Sequence, residues 1–203
     1  MTKLQNDDRP LSRRDELLQV AARVFAQKGF ANATVRDIGE EAGILSGSLY
    51  HHFESKDAIL EDLLRGIFDE MEQGYVDVMK SASSPDETIR SLVATGYSFL
   101  ESLSDEIQVL NNDLAYISRL PRLAFVEERT KAIERMWVET LARGSADGTF
   151  RADLDPQLAY RIMMGSLVAA VRWFIPGGPV SARQLGEQVA GFYLDGLLCP
   201  SGD

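Results

Sequence analysis

The chain has 203 residues, 45% of them hydrophobic and 26% charged, with a net charge of −10 at neutral pH, enough to build a buried core for one domain or two small ones. Its longest apolar stretches, such as LVAAV at 167 to 171, are interrupted by Arg172 and fall well short of the roughly 20 apolar residues of a membrane span. The opening MTKLQNDDRPLSRRDE lacks the apolar segment of a secretory signal, and the single cysteine, Cys199, excludes an intrachain disulfide; the expectation is a cytoplasmic protein without membrane association, with Cys199 a small apolar residue.

In chain order the pattern is helical nearly throughout. Leu17, Ala21, Val24 and Phe25 recur at helical spacing before Gly29, which predicts a helix from about Ser12 with a glycine stop. A short helix follows from Thr34 to about Ala42, ended by Gly43, and another over 46 to 53 with Leu49 and Phe53 facing inward. A long helix starts after Ser55 and runs to the SASSP loop at 81 to 85. Further helices are predicted at about 86 to 102, 106 to 119, 121 to 146, 156 to 175 and 181 to 198, separated by SLSD, the Leu-Pro step at 120 to 121, DGTFRADLDP and PGGP. The fold class is all-α, with about nine helices and no strand alternation or internal repeat. The domains are 1 to 54 and 55 to 203, with 55 to 80 the connecting helix.

The acidity is unevenly spread. The first 57 residues carry eight basic and nine acidic side chains, the remainder thirteen and twenty-two, so the overall charge is a poor guide to what the first segment binds. That segment contains both histidines of the chain, His51 and His52, within LYHHFESK. A metal site is disfavoured because adjacent helical side chains point about 100° apart and no Cys, Asp or Glu at the spacing of a helical ligand pair has a third ligand nearby. A general base is a second reading, with Glu54 the one orienting carboxylate nearby, and a solvated surface pair is a third.

The neighbours favour a fourth. A helix, a glycine turn and two short helices make a helix-turn-helix, in which 34 to 42 braces 46 to 52 in a DNA major groove. Ser46, Gly47 and Ser48 would approach base edges, and Tyr50, His51 and His52 would donate to phosphates. Three helix starts also place a cation beside the cap: Arg13 and Arg14 after Ser12, Arg36 after Thr34, and Lys56 after Ser55. Cations at the positive end of a helix dipole cost about 0.3–1 kcal/mol each, a sign that a bound phosphate reverses. These four are therefore read as phosphate contacts, against the alternative of solubilising surface charge.

The stretch TVRDIGEEAGILSGSLYHHFESKDAIL, from Thr34 to Leu60, resembles the DNA-binding head of TetR-family repressors, and chain length, helix count and the GTFRADLDP loop fit that family throughout. One departure is Leu45, where the family usually has a Ser or Thr cap: either Ser46 caps one residue later or the helix begins differently. The resemblance implies a homodimer on a palindromic double-stranded DNA operator, released by a small-molecule effector, with no cofactor or metal. It also implies that the last two helices pair across the dimer through Leu158, Ile162, Leu167, Val171 and Phe174 and through Leu185, Val189, Phe192 and Leu197, eased by Ala159, Gly165, Ala169, Ala170, Gly186, Ala190 and Gly191.

Residues 134 to 179 look most similar to the branch controlling steroid-ring and fatty-acid catabolism, whose effectors are acyl-CoA thioesters. The NND run at 111 to 113 stands in an apolar helix, either lining a ligand cavity or facing solvent. The candidate ligand contacts are Asn112, Tyr116, Phe125, Trp137, Met163, Met164, Val168 and Trp173 around an apolar tail, and Arg129, Arg135 and Arg172 for an anionic head. Plain core is the competing reading of the Met and Trp residues. Two other functions remain: a small helical enzyme using His51 or His52 as general base, and an architectural DNA binder without effector.

Overall fold

The structure is a computed structural model that describes residues 12 to 198; Cys199 and the first eleven residues lie outside that range. The all-α expectation holds. The elements are α1 (Arg13–Lys28), α2 (Val35–Glu41), α3 (Ser46–Leu49), α4 (Lys56–Ser81), α5 (Pro85–Ser102), α6 (Ser104–Asn112), α7 (Leu114–Ile117), a 3-10 turn (Pro121–Leu123), α8 (Phe125–Ala146), α9 (Pro156–Ala170) and α10 (Ala182–Leu197).

The head is α1 to α3 closed by the start of α4. Leu17, Ala21 and Phe25 of α1 are buried with Phe30, Ile38, Leu49 and Phe53, and Phe25 meets Phe30 edge to face at 5.0 Å. Gly39 lets α2 and α3 pack tightly: a Cβ there would lie 3.0 Å from the Ile44 carbonyl and 3.3 Å from Ser46 Cα. Gly43 makes the turn itself at φ +66, a conformation that other residues rarely adopt. From Ser55, whose hydroxyl accepts the Ala58 N–H, α4 runs 26 residues, about 39 Å, and joins the head to the second bundle.

In that bundle α5 lies against α10 at close range, since a Cβ on Gly186 would come within 3.1 Å of Ala94 Cα. Phe150 is fully buried over Gly144, its amide donating to the Gly144 carbonyl at 2.8 Å. The neighbouring Arg151 N–H reaches the Leu197 carbonyl at 2.8 Å, so the loop after α8 is pinned to the end of α10.

Four predicted elements differ. The helix expected at 106 to 119 is two, broken at Asp113 (φ −105, ψ 10). Ile107, Leu110, Leu114 and Ile117 keep helical phase across the break, so periodicity alone read straight through it. The expected helix at 121 to 146 begins as a 3-10 turn and becomes α8 only at Phe125. The one at 156 to 175 ends at Ala170, ahead of Pro176, which biases its predecessor away from helix. The helix at 46 to 53 is a single turn, with Tyr50 as its C-cap. Leu45 itself occupies the N-cap and makes no cap hydrogen bond, so the helix begins at the usual position without the usual polar residue.

Candidate nucleic-acid interface and effector cavity

In the head, α1 and α2 each start with a reciprocal capping box, Ser12 with Asp15 and Thr34 with Asp37. The Lys28 ammonium and the Thr34 hydroxyl and N–H hold the Asp37 carboxyl well below the usual carboxylate range. The cations beside the caps fall into two groups. Arg13 and Arg36 are exposed and, among the described residues, pair only within their own helices, with Glu16 at 2.7 Å and Glu40 at 2.8 Å. Exposed pairs of this kind contribute little, about 0–1 kcal/mol, so either guanidinium can exchange its carboxylate for a phosphate. Arg14 instead pairs with Asp62 of α4 and stacks 4.9 Å from the Phe53 ring centroid.

Lys56 corrects the expectation. Its ammonium donates to the carbonyls of Phe30 and Ala33, both at 2.7 Å, and lies 4.3 Å from the Phe30 ring centroid. It ties the α1–α2 turn to α4, and two of its three donors are committed inside the fold.

The α3 turn and the residues after it are laid bare. Gly47, Tyr50, His51 and His52 are exposed, Ser46 and Ser48 half-exposed, and Leu49 and Phe53 buried, so the expected outward face is the outward face. Neither imidazole has a hydrogen-bond or ion-pair partner among the described residues, and no cluster of three His, Cys, Asp or Glu side chains fit to hold a metal occurs among them. No helix of the described residues is long and apolar enough to cross a membrane.

In the second bundle a cavity of about 210 Å³, partly open to the surface, lies between α4, α5, α6, α7, α8 and α9. Its wall is apolar: Phe68, Met71, Phe99, Ile107, Leu110, Ile133, Met164 and Leu167, with Gly96, Asn111, Leu114, Thr130, Tyr160 and Val168. No charged residue lines it, and burial pushes the Tyr160 phenol up to about 12, with Glu134 adding to the shift, which keeps it neutral at physiological pH. Asn111 Nδ2 is buried without a partner, as are Tyr75 Oη and Trp137 Nε1 nearby in the stack Tyr75–Trp137–Tyr160. An unpartnered amide donor at a cavity wall is a site for a ligand acceptor. An outer groove of about 930 Å³ between α6–α7 and α8 shares Asn111, Leu114 and Thr130 with the cavity and carries Arg119 and Lys131.

Of the ligand contacts expected from sequence, Met164 and Val168 line this cavity and Asn112 the outer groove. The others stand elsewhere. Trp137 is buried core behind Tyr160, Met163 faces a second groove beside Phe192, and Phe125 packs on Phe68 under Arg65. Tyr116 lies on Phe30 of the head, with ring centroids 5.2 Å apart. Arg129 is bound to Glu72 through two nitrogens at 2.7 Å and to Asp69 at 2.7 Å, and these partners push its pKa up; it is a brace between α8 and α4. Arg135 lies on an outer face with Lys131, Glu139 and Gln157. Arg172 and Trp173 are exposed just past the end of α9, and Arg172, four residues beyond Val168, has no ion-pair partner among the described residues. Sequence reasoning missed Phe68, Phe99, Ile107, Leu110, Asn111 and Tyr160 because cavity-lining residues follow the same periodicity as core; only Asn111 carried a signal, as the first amide of NND.

The cavity wall is also the back of the head's anchor. On the far side of α6, Asp113 accepts the Phe30 N–H at 3.1 Å and Gln108 donates to the Ala26 carbonyl at 3.3 Å. The break after α6 thus frees a carboxylate for the head while Asn111 and Leu114 on either side of it face the cavity.

The α9–α10 face splits the residues expected at a dimer interface. Leu158, Ile162 and Phe192 are exposed, Phe192 at 77%, whereas Leu167 and Leu197 are buried and Leu185, Val189, Val171 and Phe174 are half-buried against the core. Gly165 and Ala169 are exposed, but Ala159, Ala170, Gly186 and Ala190 are spent on packing inside the protomer. Tyr193 on α10 donates to Ser166 Oγ at 2.5 Å, and Tyr97 on α5 meets the same hydroxyl at 3.1 Å, so one polar node joins α5, α9 and α10.

Comparison with known proteins finds two family models in the chain. Residues 17–63 fit the family model for bacterial regulatory proteins of the tetR family, and residues 82–197 that for the tetracyclin repressor-like C-terminal domain. The HTH-type transcriptional repressor KstR2 of Mycolicibacterium smegmatis is 43% identical over 194 residues, which cover 96% of this chain and 95% of that one. The structure of the ketosteroid transcriptional regulator KstR2 of Mycobacterium tuberculosis superposes with a TM-score of 0.91 at 39% identity, covering 94% of this chain and 97% of that one. AibR, solved in complex with isovaleryl coenzyme A and operator DNA, shares the fold at a TM-score of 0.79 and 21% identity, covering 89% and 97% of the two chains. The chain belongs to the TetR family of bacterial regulatory proteins.

Proposed function

We propose that the protein is a homodimeric transcriptional repressor, with residues to 54 the DNA-binding head and 55 onward the effector and dimerisation domain. It holds a palindromic operator until a hydrophobic acid derivative, an acyl-CoA thioester or a similarly bulky molecule, enters the α4–α9 cavity. The observation that carries this reading is the double role of α6–α7, which walls the cavity with Asn111 and Leu114 and holds the head through Asp113 and Gln108. A ligand that repositions this wall favours a different head placement, and it releases DNA to the extent that it binds that placement more tightly.

The repressor names of the KstR2 relatives support the sign of the response, and AibR is a protein of the same fold that takes both a CoA thioester and operator DNA. The uncharged wall admits an apolar acyl body, with Asn111 Nδ2 offered to a carbonyl oxygen. Phosphates must stay outside it. Of the three arginines expected for the head group, Arg129 is committed to Glu72 and Asp69, whereas Arg135 and Arg172 have no ion-pair partner among the described residues, and Arg172 follows the cavity-lining Val168 by four residues.

The test is a titration of long-chain and polycyclic acyl-CoAs against the operator-bound protein, with free CoA as control. Release by at least one thioester and not by CoA is expected. Met164→Trp, which fills the cavity, should bind operator normally and respond to none of them. No release by any thioester at high micromolar concentration, alongside release by an uncharged or cationic compound, overturns the ligand class.

A further inference from the structure

Leu45 is the most exposed large hydrophobic side chain among the described residues, at 82%, and it sits on the outer face of the head, where Tyr50 is the other large hydrophobic one exposed. Six other helices, α1, α2, α4, α5, α9 and α10, begin on a Ser, Thr or Asp whose side-chain oxygen takes an N–H of the first turn, while α6, α7 and α8, like α3, have no side-chain cap. At α3 that bond is forgone, because leucine offers no acceptor. Nor is the side chain free to fold inward. Gly39 presses α2 onto the backbone of 44 to 46, the Leu45 carbonyl accepts the Ser48 N–H at 2.8 Å, and Ile44 takes the inward position. The residue is thus fixed and solvent-facing, at a local cost in both capping and hydration.

We propose that Leu45 is a base-reading residue, packing on the C5 methyl of a thymine in the operator's major groove. The inference rests on the DNA-binding reading above and extends it to a residue that hydrogen-bonding logic passes over. The thymine methyl is the apolar feature of the major-groove base edges, and an isolated apolar side chain among hydroxyls and imidazoles is matched to a point contact of that size. A protein partner would call for a contiguous apolar patch, whereas the nearest neighbours, half-exposed Ser46 and Ser48 and exposed Gly47, are polar or lack a side chain, and Tyr50, the other large exposed side chain of this turn, carries a hydroxyl. The open space around Gly47, with nothing within 4 Å of a Cβ built there, lets the duplex come close enough for the contact.

The test uses the full-length protein and an operator that it enriches from a random duplex library. Single thymines of each half-site are replaced by deoxyuridine, which deletes the methyl and keeps every hydrogen-bonding group, and affinities are compared by fluorescence anisotropy. Wild type should lose about fourfold per half-site at one thymine position, the worth of one buried methyl. Leu45→Ala should bind the thymine and deoxyuridine forms alike while keeping wild-type affinity for random duplex. Leu45→Ser should lose the same discrimination yet unfold at a higher temperature, because serine supplies the missing cap. Wild type indifferent to every deoxyuridine, or Leu45→Ala still sensitive to the same one, overturns the assignment. Self-association lost in Leu45→Ala overturns it too, in favour of a protein contact. Failure to enrich any sequence overturns the DNA-binding reading along with it, so the two failures are distinguishable.

Discussion

Two cations with the same sequence signature, each just after a helix cap, have different work in the fold. The Lys56 ammonium bonds the Phe30 and Ala33 carbonyls, and such charge-assisted bonds are worth about 1.5–3 kcal/mol each in favourable settings. Lys56→Met should therefore destabilise the protein by about 2 kcal/mol in urea unfolding, since two carbonyls lose their donor. Arg36, on the exposed side of α2 and paired there with Glu40, should behave in the opposite way. Arg36→Ala should leave stability within about 0.5 kcal/mol while reducing the salt slope of DNA binding by about 1. A destabilised Arg36 variant with an unchanged salt slope would contradict this division. The sequence carried the cap-and-cation pattern but not the distinction, because the carbonyls that claim Lys56 lie 26 and 23 residues upstream and only tertiary folding brings them there.

At the scale of elements, most of the fold was legible because amphipathic periodicity and Ser, Thr, Pro and Gly punctuation agree with each other at α1, α2, α4, α5 and α10. The break at Asp113 was not, since a one-residue interruption that preserves the apolar phase leaves no trace in the pattern. It is nonetheless the joint between cavity and head. Asp113→Ala frees the Phe30 N–H and should leave effector affinity for the isolated protein nearly intact while shrinking the factor by which effector weakens operator binding. Calorimetry for the first and anisotropy for the second give the comparison, and an unchanged factor would remove Asp113 from the coupling. The α8–α10 corner is a matter of fit. A Cβ on Gly144 would lie 2.2 Å from the Phe150 ring, so Gly144→Ala should cost at least about 2 kcal/mol and detach the loop from α10. A stable, fully folded Gly144→Ala protein would show that Phe150 has another place to go.

At the scale of the whole molecule, the exposed large hydrophobic residues fall into three places: the head, the α9–α10 side with the segment after it, including Ile162, Trp173, Ile175 and Phe192, and α7 with Leu114 and Tyr116. A second copy is the occupant that the proposed repressor requires for the second place, and Ile162→Asp or Phe192→Asp should then convert the dimer to monomer in sedimentation. Leu185 and Val189 are poorer sites for that test, because their half-burial within the protomer would confuse dissociation with unfolding. The dimer makes the account a linkage between two ligands. Operator and effector must each weaken the other's binding by the same factor, because coupling free energy is reciprocal. The most direct measurement is the dissociation constant of an effective acyl-CoA with and without saturating operator, set beside the operator's own constant with and without the acyl-CoA. The account predicts equal factors in the two directions, both reduced to one in Met164→Trp. An acyl-CoA that binds equally well with and without operator would contradict it.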